Sequence, residues 1–337
     1  MASIRCRNGK WQARVRRRGH PDAEKTFSSR KDAEKWTRQI ESEMDRGCFI
    51  DRTEAERALF GEVLQRYLQE VVPGKRGRET ESVRIRALML SDLANRSMAN
   101  LNSKIIATWR DERLKQVSGS TVNRELNIIS AVINTAIKEW GIALPNNPVT
   151  LIKRPRSGPP RNRRIDPAEE ERLLQALEVA PRTADGRFCG PQNAWMKPLV
   201  QFALETAMRR GEMLGLGWED VDLQRRVAHL KQTKNGDART VPLSTEAVKV
   251  LDGLPRSLSG RVFPITSDAV KKAFSRACCR AKLTRVVFHT LRHEATSRLS
   301  EKLPNVIELA AITGHKDLRM LQRYYHPRPE ALALKLV

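Results

Sequence analysis

The sequence has few aromatic side chains and few acidic ones. Only 5% of the 337 residues are aromatic although 40% are hydrophobic, so we expect cores built mainly from Leu, Val, Ile and Ala. Asp and Glu number 39 against 62 Lys and Arg, which leaves a net charge of +23. Lys and Arg gain affinity for nucleic acid by displacing counterions from phosphates, so the charge favours a polyanionic partner. A basic surface that serves only solubility is the alternative.

Cysteine is also scarce, and long apolar runs are absent. The five cysteines match no zinc spacing, and we expect all of them to be reduced thiols. No apolar run reaches the roughly 18 residues of a membrane span, and the N-terminus lacks the apolar stretch of a signal peptide. We therefore expect a cytoplasmic, nucleoid-associated protein with no membrane partner and no bound metal. The cysteines are Cys6, Cys48, Cys189, Cys278 and Cys279.

Residues 1–57 have the pattern of a small α+β module. Residues 10–16 alternate between apolar and polar side chains as a strand does, and residues 29–44 place Ala33 and Trp36 on one helical face. A short basic sheet backed by a helix suits DNA binding, and a folding appendage without function is the alternative.

Residues 58–152 have the pattern of an all-helical domain. The last of four candidate helices carries an apolar stripe at helical spacing, which we interpret as core packing. Gly141 and Pro145 end that run. The candidate helices are residues 60–71, 80–93, 103–116 and 121–140.

A basic, proline-rich connector spans residues 153–164. It has no hydrophobic periodicity, so we interpret it as a linker between two domains, with arginines that lie along a phosphate backbone. The arginines predicted to bind DNA are Arg154, Arg156, Arg161, Arg163 and Arg164.

Residues 165–337 have the pattern of a mainly helical domain with a small sheet. Asp166 and Glu169 form a capping box around Pro167, and Asn235-Gly236 predicts a hairpin turn. Residues 181–193 are rich in Pro and Gly, and we interpret them as an inserted surface loop. The predicted strands are 227–230 and 240–243, and the predicted helices are 167–179, 195–208, 245–254, 268–281, 291–301, 305–313 and 318–324.

Four motifs in this domain carry residue types that suit phosphate chemistry. Each motif alone is weak, because an arginine on a helix or a lysine in a hairpin is usually a solvated surface residue. Their order and spacing are more specific than any one of them. The motifs are Arg209-x-x-Glu212, Lys234 in the hairpin, His289-x-x-Arg292, and Gly314-His315 with Tyr324 nine residues after His315.

In this order the set resembles the tyrosine recombinase (phage integrase) family across its catalytic domain. The resemblance implies a mainly α fold, with a helical core-binding domain at residues 58–152 and a mixed α+β catalytic domain at residues 165–337. Residues 1–57 look like the arm-type DNA-binding module of many integrases. Residues 205–208, 228–230 and 233–236 look similar to shufflon-type DNA invertases.

The resemblance gives the catalytic arginines a clear task. Negative charge grows on the non-bridging oxygens of a phosphodiester as it reacts, and Arg209 and Arg292 can clamp those oxygens with bidentate donors. His315 can add another donor. Removing one preorganised donor of this kind typically costs about 3–4 kcal/mol of transition-state stabilisation.

The nucleophile that the resemblance implies is the hydroxyl of Tyr324. A free tyrosine has a pKa of about 10, so it needs a proton acceptor, for which we expect His289. The departing 5′ oxygen needs a proton, for which we expect Lys234. The product is a 3′-phosphotyrosine, and rejoining then needs neither ATP nor, by resemblance, a metal or cofactor.

Three neighbours of these residues leave local ambiguities. Spacing selects Tyr324 over Tyr325, and the Arg-x-x-Glu pattern selects Arg209 over Arg210, with Glu212 in a supporting structural role. His293-Glu294 begins like a zinc-protease helix, but the position for the second histidine holds a serine, so that interpretation fails.

The alternatives to a recombinase are a type IB topoisomerase and a catalytically silent DNA-binding regulator. The N-terminal module and the apolar tail at residues 331–337, which suits docking into a neighbouring subunit, favour the recombinase. We expect double-stranded DNA recombination sites as substrate, a homotetramer on DNA, and an accessory directionality protein as a further partner.

Overall fold

The structure is a computed structural model that describes residues 2–159, 163–180, 190–231, 238–303 and 305–324. The chain divides into two compact units, Met1–Pro160 and Arg161–Val337. The boundary falls inside the predicted connector. The finer division into residues 1–57, 58–152, 153–164 and 165–337 stays a prediction.

The first unit begins with an antiparallel three-stranded sheet and a helix. Strand β1 (Ala2–Arg7) pairs with β2 (Lys10–Val15), and β2 pairs with β3 (Ala23–Phe27). Asn8 and Gly9 have φ values of 51° and 72°, as a two-residue hairpin turn requires. This turn makes residues 2–7 a strand, which the sequence analysis did not predict. Helix α1 (Arg30–Asp45) covers the sheet.

The rest of the first unit is helical around a separate hydrophobic core. Val122, Leu126, Ile129 and Ile133 of the predicted apolar stripe are fully buried, as core packing requires. The mainly α fold that the sequence predicts is confirmed here. The helices are α2 (Thr53–Arg57), α3 (Phe60–Glu70), α4 (Arg78–Met89), α5 (Ser103–Leu114) and α6 (Gly119–Lys138).

The start of the connector is held against α5 and α6. Arg110 donates from Nη1 to the carbonyl oxygen of Lys153 at 2.6 Å, and Asn123 donates from Nδ2 to that of Pro155 at 2.8 Å. A Cβ added to Gly119 would lie 2.3 Å from the carbonyl oxygen of Arg156, so only glycine allows this approach. The connector thus begins as part of the helical core.

The second unit is mainly helical, with α8 packed against α10 and α12 at its centre. Phe202 of α8 and Phe263 are fully buried, and their ring centroids lie 5.6 Å apart. The helices are α7 (Pro167–Gln175), α8 (Met196–Thr206), α9 (Arg210–Gly215), α10 (Thr245–Asp252), α11 (Ser267–Arg280), α12 (Phe288–Lys302) and α13 (Val306–Thr313).

A small antiparallel sheet lies within the second unit. It is formed by β4 (Val221–Asp222), β5 (Val227–Leu230) and β6 (Arg239–Pro242). Leu230 pairs with Arg239, so Arg239 is the first residue of β6 after the hairpin. The hairpin tip with Lys234 lies outside the described residues, as does the first part of the predicted loop at residues 181–193.

Two of the predicted helices are interrupted, and each interruption sets the position of functional side chains. Helix α8 ends two residues earlier than predicted because Ala207 is in the left-handed region, with φ of 50°. At residues 318–324 the predicted α-helix is replaced by tighter three-residue turns. Backbone Leu321 N donates to Leu318 O at 2.9 Å, and Tyr324 N donates to Leu321 O at 2.8 Å.

Candidate active site

Among the predicted site residues that the structure describes, Arg292 is the most deeply buried. Its side chain lies on α12 and the residue is only 5% exposed. Nη1 donates to the carbonyl oxygen of Ala207 at 2.5 Å, and Nη2 donates to that of Thr313 at 2.7 Å. Burial and the charge of Arg209 lower the pKa of Arg292 to about 10, so it stays protonated at neutral pH. The ends of α8 and α13 therefore hold a permanently charged fork in place.

Arg209 is held by Glu212 and by the turn after α13. It is the N-cap of α9, where its backbone N–H donates to Glu212 Oε2 at 2.9 Å. Its guanidinium donates from Nη1 to Glu212 Oε1 at 2.9 Å and from Nη2 to the carbonyl oxygen of Gly314 at 3.1 Å. The predicted supporting role of Glu212 matches these contacts, although the role itself stays a proposal.

Arg239 is a second arginine at the same carboxylate. Its Nη1 and Nη2 each donate to one Glu212 oxygen at 2.8 Å. Burial raises the pKa of Glu212, but the bonds from Arg239 and Arg209 outweigh it and lower the pKa to about 2. Sequence reasoning missed Arg239, because its partner lies 27 residues away and no spacing rule joins them.

His315 follows the left-handed Gly314 that caps α13, whose φ is 68°. Its Nδ1 lies 2.7 Å from Thr313 Oγ1, and Thr313 donates its hydroxyl proton to the carbonyl oxygen of Leu309 at 2.6 Å. We therefore infer that Nδ1 carries the imidazole proton, which leaves Nε2 as an acceptor 3.4 Å from Arg292 Nη2. Burial and the charges of Arg292, Arg209 and Arg239 lower the pKa of His315 to about 4.

Tyr324 contacts a histidine that the sequence analysis did not select. Its hydroxyl is hydrogen-bonded to Nδ1 of His293, one residue after Arg292 on α12. The ring of His289 lies edge-on to His293, with centroids 4.9 Å apart. Ser300, on the same helix, donates to the carbonyl oxygen of Tyr324 at 2.9 Å. The four-residue spacing from His289 could have identified His293, because residues four apart share one face of a helix.

The surroundings of this pair keep both groups neutral. Burial, followed by the charges of His289, Arg323 and Arg292, lowers the pKa of His293 to about 4. Burial raises the pKa of Tyr324, although Arg323 and Arg292 oppose it. At neutral pH a neutral imidazole therefore faces a protonated hydroxyl.

The structure thus brings most of the predicted residues together. Arg209, Glu212, Arg292 and His315 share one network that joins α9, α12 and the turn after α13. The pair of His293 and Tyr324 is attached to the same α12. Two residues of interest, Lys234 and Tyr325, lie outside the described residues.

The connector arginines contact protein groups at both of its ends. Arg154 is exposed and donates to Asn127 Oδ1 at 2.7 Å. Arg163 donates to Glu169 at 2.8 Å, and Arg164 holds the buried Glu294 through two bonds of 3.0 and 3.1 Å. The exposed Arg156 belongs to the same predicted DNA-binding set, and Arg161 lies outside the described residues. Their DNA-binding role stays a prediction.

The described residues contain no cluster of His, Cys, Asp and Glu side chains that could hold a metal ion. Among the helices that the structure describes, none is long and apolar enough to cross a membrane. Cys6, Cys48, Cys278 and Cys279 are free thiols.

Comparison with known proteins decides the family. The phage integrase family matches residues 163–331. The chain is also 39% identical over 282 residues to a shufflon-specific DNA recombinase of Escherichia coli, which covers 81% of this chain and 70% of that protein. The chain belongs to the phage integrase family. This tyrosine-type site-specific recombinase is also 34% identical to a putative integrase/recombinase of Haemophilus influenzae, across 97% of its own length and 87% of the other.

Solved structures show the same fold for this recombinase. A lambda integrase dimer bound to a COC′ core site superimposes with a TM-score of 0.65 at 21% identity, covering 97% of this chain and 95% of the other. The Tn1549 transposon integrase in complex with circular intermediate DNA also gives 0.65, at 17% identity, covering 82% and 98%. The fold and the family predicted from the motifs are therefore confirmed.

Proposed function

We propose that Tyr324 of this recombinase attacks a phosphodiester of a specific double-stranded DNA site and forms a 3′-phosphotyrosine. The observation that carries the proposal is the contact between the Tyr324 hydroxyl and a neutral His293, on the helix that also holds Arg292. The proton acceptor and the anion-binding guanidinium thereby lie on one helix, and the nucleophile is hydrogen-bonded to that helix. Such an arrangement suits attack on a negatively charged phosphate.

The phosphate is bound by the guanidiniums of Arg209 and Arg292. Their fixed bonds to Glu212, Ala207 and Thr313 orient both forks before DNA arrives. Charge that develops on the non-bridging oxygens then meets donors that need no reorganisation. His315 adds a donor once Nε2 is protonated, because that nitrogen is an acceptor in the DNA-free protein.

The proton of Tyr324 moves to His293 as the new bond forms. The pKa of His293 is lowered to about 4 and burial raises the pKa of Tyr324 above its ordinary value, so the free enzyme does not ionise its tyrosine. Proton transfer is therefore coupled to attack on phosphorus, as in general base catalysis. The sequence predicts His289 as the acceptor; its ring packs edge-on against His293, so in this proposal it takes the proton on from His293.

The chemical step balances without an external energy source. The bond from Tyr324 oxygen to phosphorus forms, the bond from phosphorus to the 5′ oxygen breaks, and Lys234 gives that oxygen a proton. The ester keeps the bond energy, so the reverse attack by a 5′ hydroxyl rejoins a strand. Exchange between two sites follows when the attacking hydroxyl belongs to the other duplex.

Four subunits complete the exchange, since two duplexes present four strands and each subunit has one nucleophile. A structural neighbour is a lambda integrase tetramer bound to a Holliday junction, with a TM-score of 0.65 at 21% identity. Ile307, Leu318 and Met320 are large apolar side chains that are at least 46% exposed in the last part of the second unit, which suits subunit contact. An accessory protein that sets direction belongs to the same proposal.

The nucleophile is tested by covalent capture from a library of duplex DNA. Wild-type protein is mixed with the library, and complexes that survive SDS are isolated and sequenced. We expect recovery of one enriched site by the wild type and by Tyr325→Phe, and no SDS-resistant complex with Tyr324→Phe. Capture by Tyr324→Phe and none by Tyr325→Phe would show that the neighbouring tyrosine is the nucleophile.

A further inference from the structure

Two elements of the second unit meet at the carboxylate of Glu212, and a third contacts Arg209. Arg209 reaches it from the start of α9, and Arg239 reaches it from the start of β6. The third is the turn at Gly314, whose carbonyl oxygen accepts from Arg209. The side chain of Glu212 is only 4% exposed and that of Arg239 only 11%. Arg239 therefore belongs to the inner structure of the phosphate site.

The guanidinium of Arg239 is directed at Glu212. Its two terminal nitrogens donate to the two oxygens of that carboxylate in a bidentate bond. Its Nε is shut off from solvent and has no hydrogen-bond partner among the described residues. A buried donor of this kind destabilises the fold, so the stability of the unit alone does not explain an arginine here.

The guanidinium of Arg239 also supports the turn that carries His315. A Cβ added to Gly314 would lie 2.6 Å from Arg239 Nη1 and 3.1 Å from its Cδ. Gly314 therefore lies directly on the arginine, with no space between them for a side chain. Any movement of Arg239 changes the support of the Gly314–His315 turn.

Charge balance explains what Arg239 adds to the pair of Arg209 and Glu212. Arg209 and Glu212 alone form a neutral pair, in which the carboxylate would compete with DNA for the Arg209 fork. With Arg239 the trio carries one net positive charge, and the carboxylate has a second cation. The remaining N–H groups of Arg209 can then bind a phosphate while Arg239 keeps the buried carboxylate paired.

We propose that Arg239 is a positioning residue that neutralises Glu212 and supports the Gly314–His315 turn, and thereby keeps Arg209 and His315 directed at the reacting phosphate. The inference rests on the proposed function, because it assigns Arg209 and His315 to that phosphate. It names a residue outside the six predicted catalytic positions.

A double-mutant cycle tests the proposal. Arg239→Met, Glu212→Gln and the double variant are compared with wild type for the rate of covalent complex formation on a nicked duplex of the captured site. Arg239→Met should cleave about 10²-fold more slowly, the loss typical of one misplaced donor, with DNA affinity unchanged. The double variant should be no more than about 3-fold slower than the slower single variant, because both changes break one unit. Independent, multiplicative losses would overturn the proposal.

A neutral substrate separates positioning from a merely structural role. A methylphosphonate at the scissile position carries no charge, so it depends less on the arginine clamp. On this substrate the loss of cleavage rate caused by Arg239→Met should be at least about 10-fold smaller than on the natural phosphodiester, because an uncharged group gains less from the arginine donors. An equal loss on both substrates contradicts the inference.

Control variants cover misfolding and failure of the proposed function. Arg225→Met removes an arginine whose side chain is 85% exposed before β5, and it should cleave like wild type.

Arg239→Lys keeps the positive charge but lacks the bidentate guanidinium. It should fold with the melting temperature of wild type and cleave at a rate between wild type and Arg239→Met, and a wild-type rate would exclude the need for a bidentate bond. Absence of covalent complex with wild type, or its presence with Tyr324→Phe, would instead refute the proposed function.

Discussion

At the scale of single residues, the acceptor for the Tyr324 proton is the feature with the clearest consequence. His293 contacts the hydroxyl, and His289 lies one helical turn away with its ring against His293. The two histidines therefore have separable roles, and the one in contact with the hydroxyl should matter more for the rate.

We predict that His293→Gln slows covalent complex formation about 10²–10⁴-fold, the range for loss of a general base. Glutamine can still accept a hydrogen bond but cannot take up the proton. His289→Gln should lose less. Single-turnover rates on the nicked duplex measure both, with DNA affinity as the control. A larger loss for His289→Gln would make His289 the acceptor, as the sequence predicts.

The lowered histidine pKa values also predict how stability depends on pH. His293 and His315 have a pKa of about 4 in the folded protein, against an ordinary value of 6.5. Between these values the unfolded chain binds protons on both imidazoles and the folded chain does not, so the free energy of unfolding falls as the pH falls from 6.5 toward 4. The urea midpoint should be lower at pH 5 than at pH 7. His315→Gln should reduce that difference, and an unchanged difference would contradict the buried neutral state. His229→Gln, on the exposed face of β5, is the matched control.

Single residues also show what sequence reasoning can and cannot find. Tyr324 and Arg292 were predicted from short spacings that one helix or turn preserves; the structure places both at α12, and their catalytic roles stay predictions. His293 was within reach of the same reasoning but was weighed only as a zinc ligand. Arg239 was out of reach, because its bond to Glu212 exists only after β6 and α9 pack together. Local patterns predict residues within an element, and contacts between distant elements need the fold.

At the scale of elements, α12 joins the reacting groups to the end of the connector. Arg292 and His293 face the site, and Glu294, buried to 3% side-chain exposure, holds Arg164. The backbone N–H of Ile165 donates to the same carboxylate at 3.2 Å, and Arg298 adds a bond at 3.0 Å. The connector therefore ends as part of the catalytic helix packing.

This arrangement predicts different results for two connector arginines. Arg156→Met should leave the free energy of unfolding unchanged and flatten the salt dependence of DNA binding by about 0.9 log units, the value for one lost phosphate contact. Arg164→Met should lower the free energy of unfolding by at least about 1 kcal/mol, because Glu294 loses a partner. Urea unfolding and binding across a salt series measure the two effects. Full stability of Arg164→Met would contradict the role of Glu294, and a flatter salt dependence in that variant would show that DNA competes for Arg164.

Helices were predicted well where a single local pattern, such as hydrophobic spacing or a capping box, determines them. The stripe of α6 is a core face, and Asp166 with Glu169 caps α7 through a bond of 2.8 Å. The end of α8 was not predictable, since an alanine at φ of 50° has no sequence signal. The turns before Tyr324 were missed for a related reason, because three-residue and four-residue turns share similar residue preferences.

At the scale of the whole molecule, the net charge of +23 and the need for four nucleophiles set the expected assembly. Charge repulsion keeps free subunits apart, and DNA phosphates remove that repulsion. We therefore expect monomers in dilute solution and tetramers on paired sites.

Deleting residues 331–337, which lie outside the described residues, should leave single-site binding nearly intact and impair pairing of two sites. The apolar tail suits docking into a neighbouring subunit. Ile307→Ser, which removes an apolar side chain that is 68% exposed, should have the same effect, with Leu258→Ser as an exposed control. Gel mobility on one and two sites, together with sedimentation, measures the outcome. Normal pairing by the truncated protein would exclude the tail as a docking element.

The hydrogen bonds at the two ends of the connector also define where this recombinase can be fused to part of another integrase. Lys153 and Pro155 are bonded to α5 and α6, whereas Arg164 and Ile165 are bonded to α12. A chimera that takes its first unit from a different integrase should therefore be spliced at Ser157 or Gly158, where an added Cβ at the glycine meets nothing within 4 Å. A junction at residue 165, where the sequence predicts that the catalytic domain begins, would exchange Arg164 for a foreign residue and leave Glu294 short of a cation. The modular boundary useful for engineering thus lies several residues before the first helix of the catalytic domain.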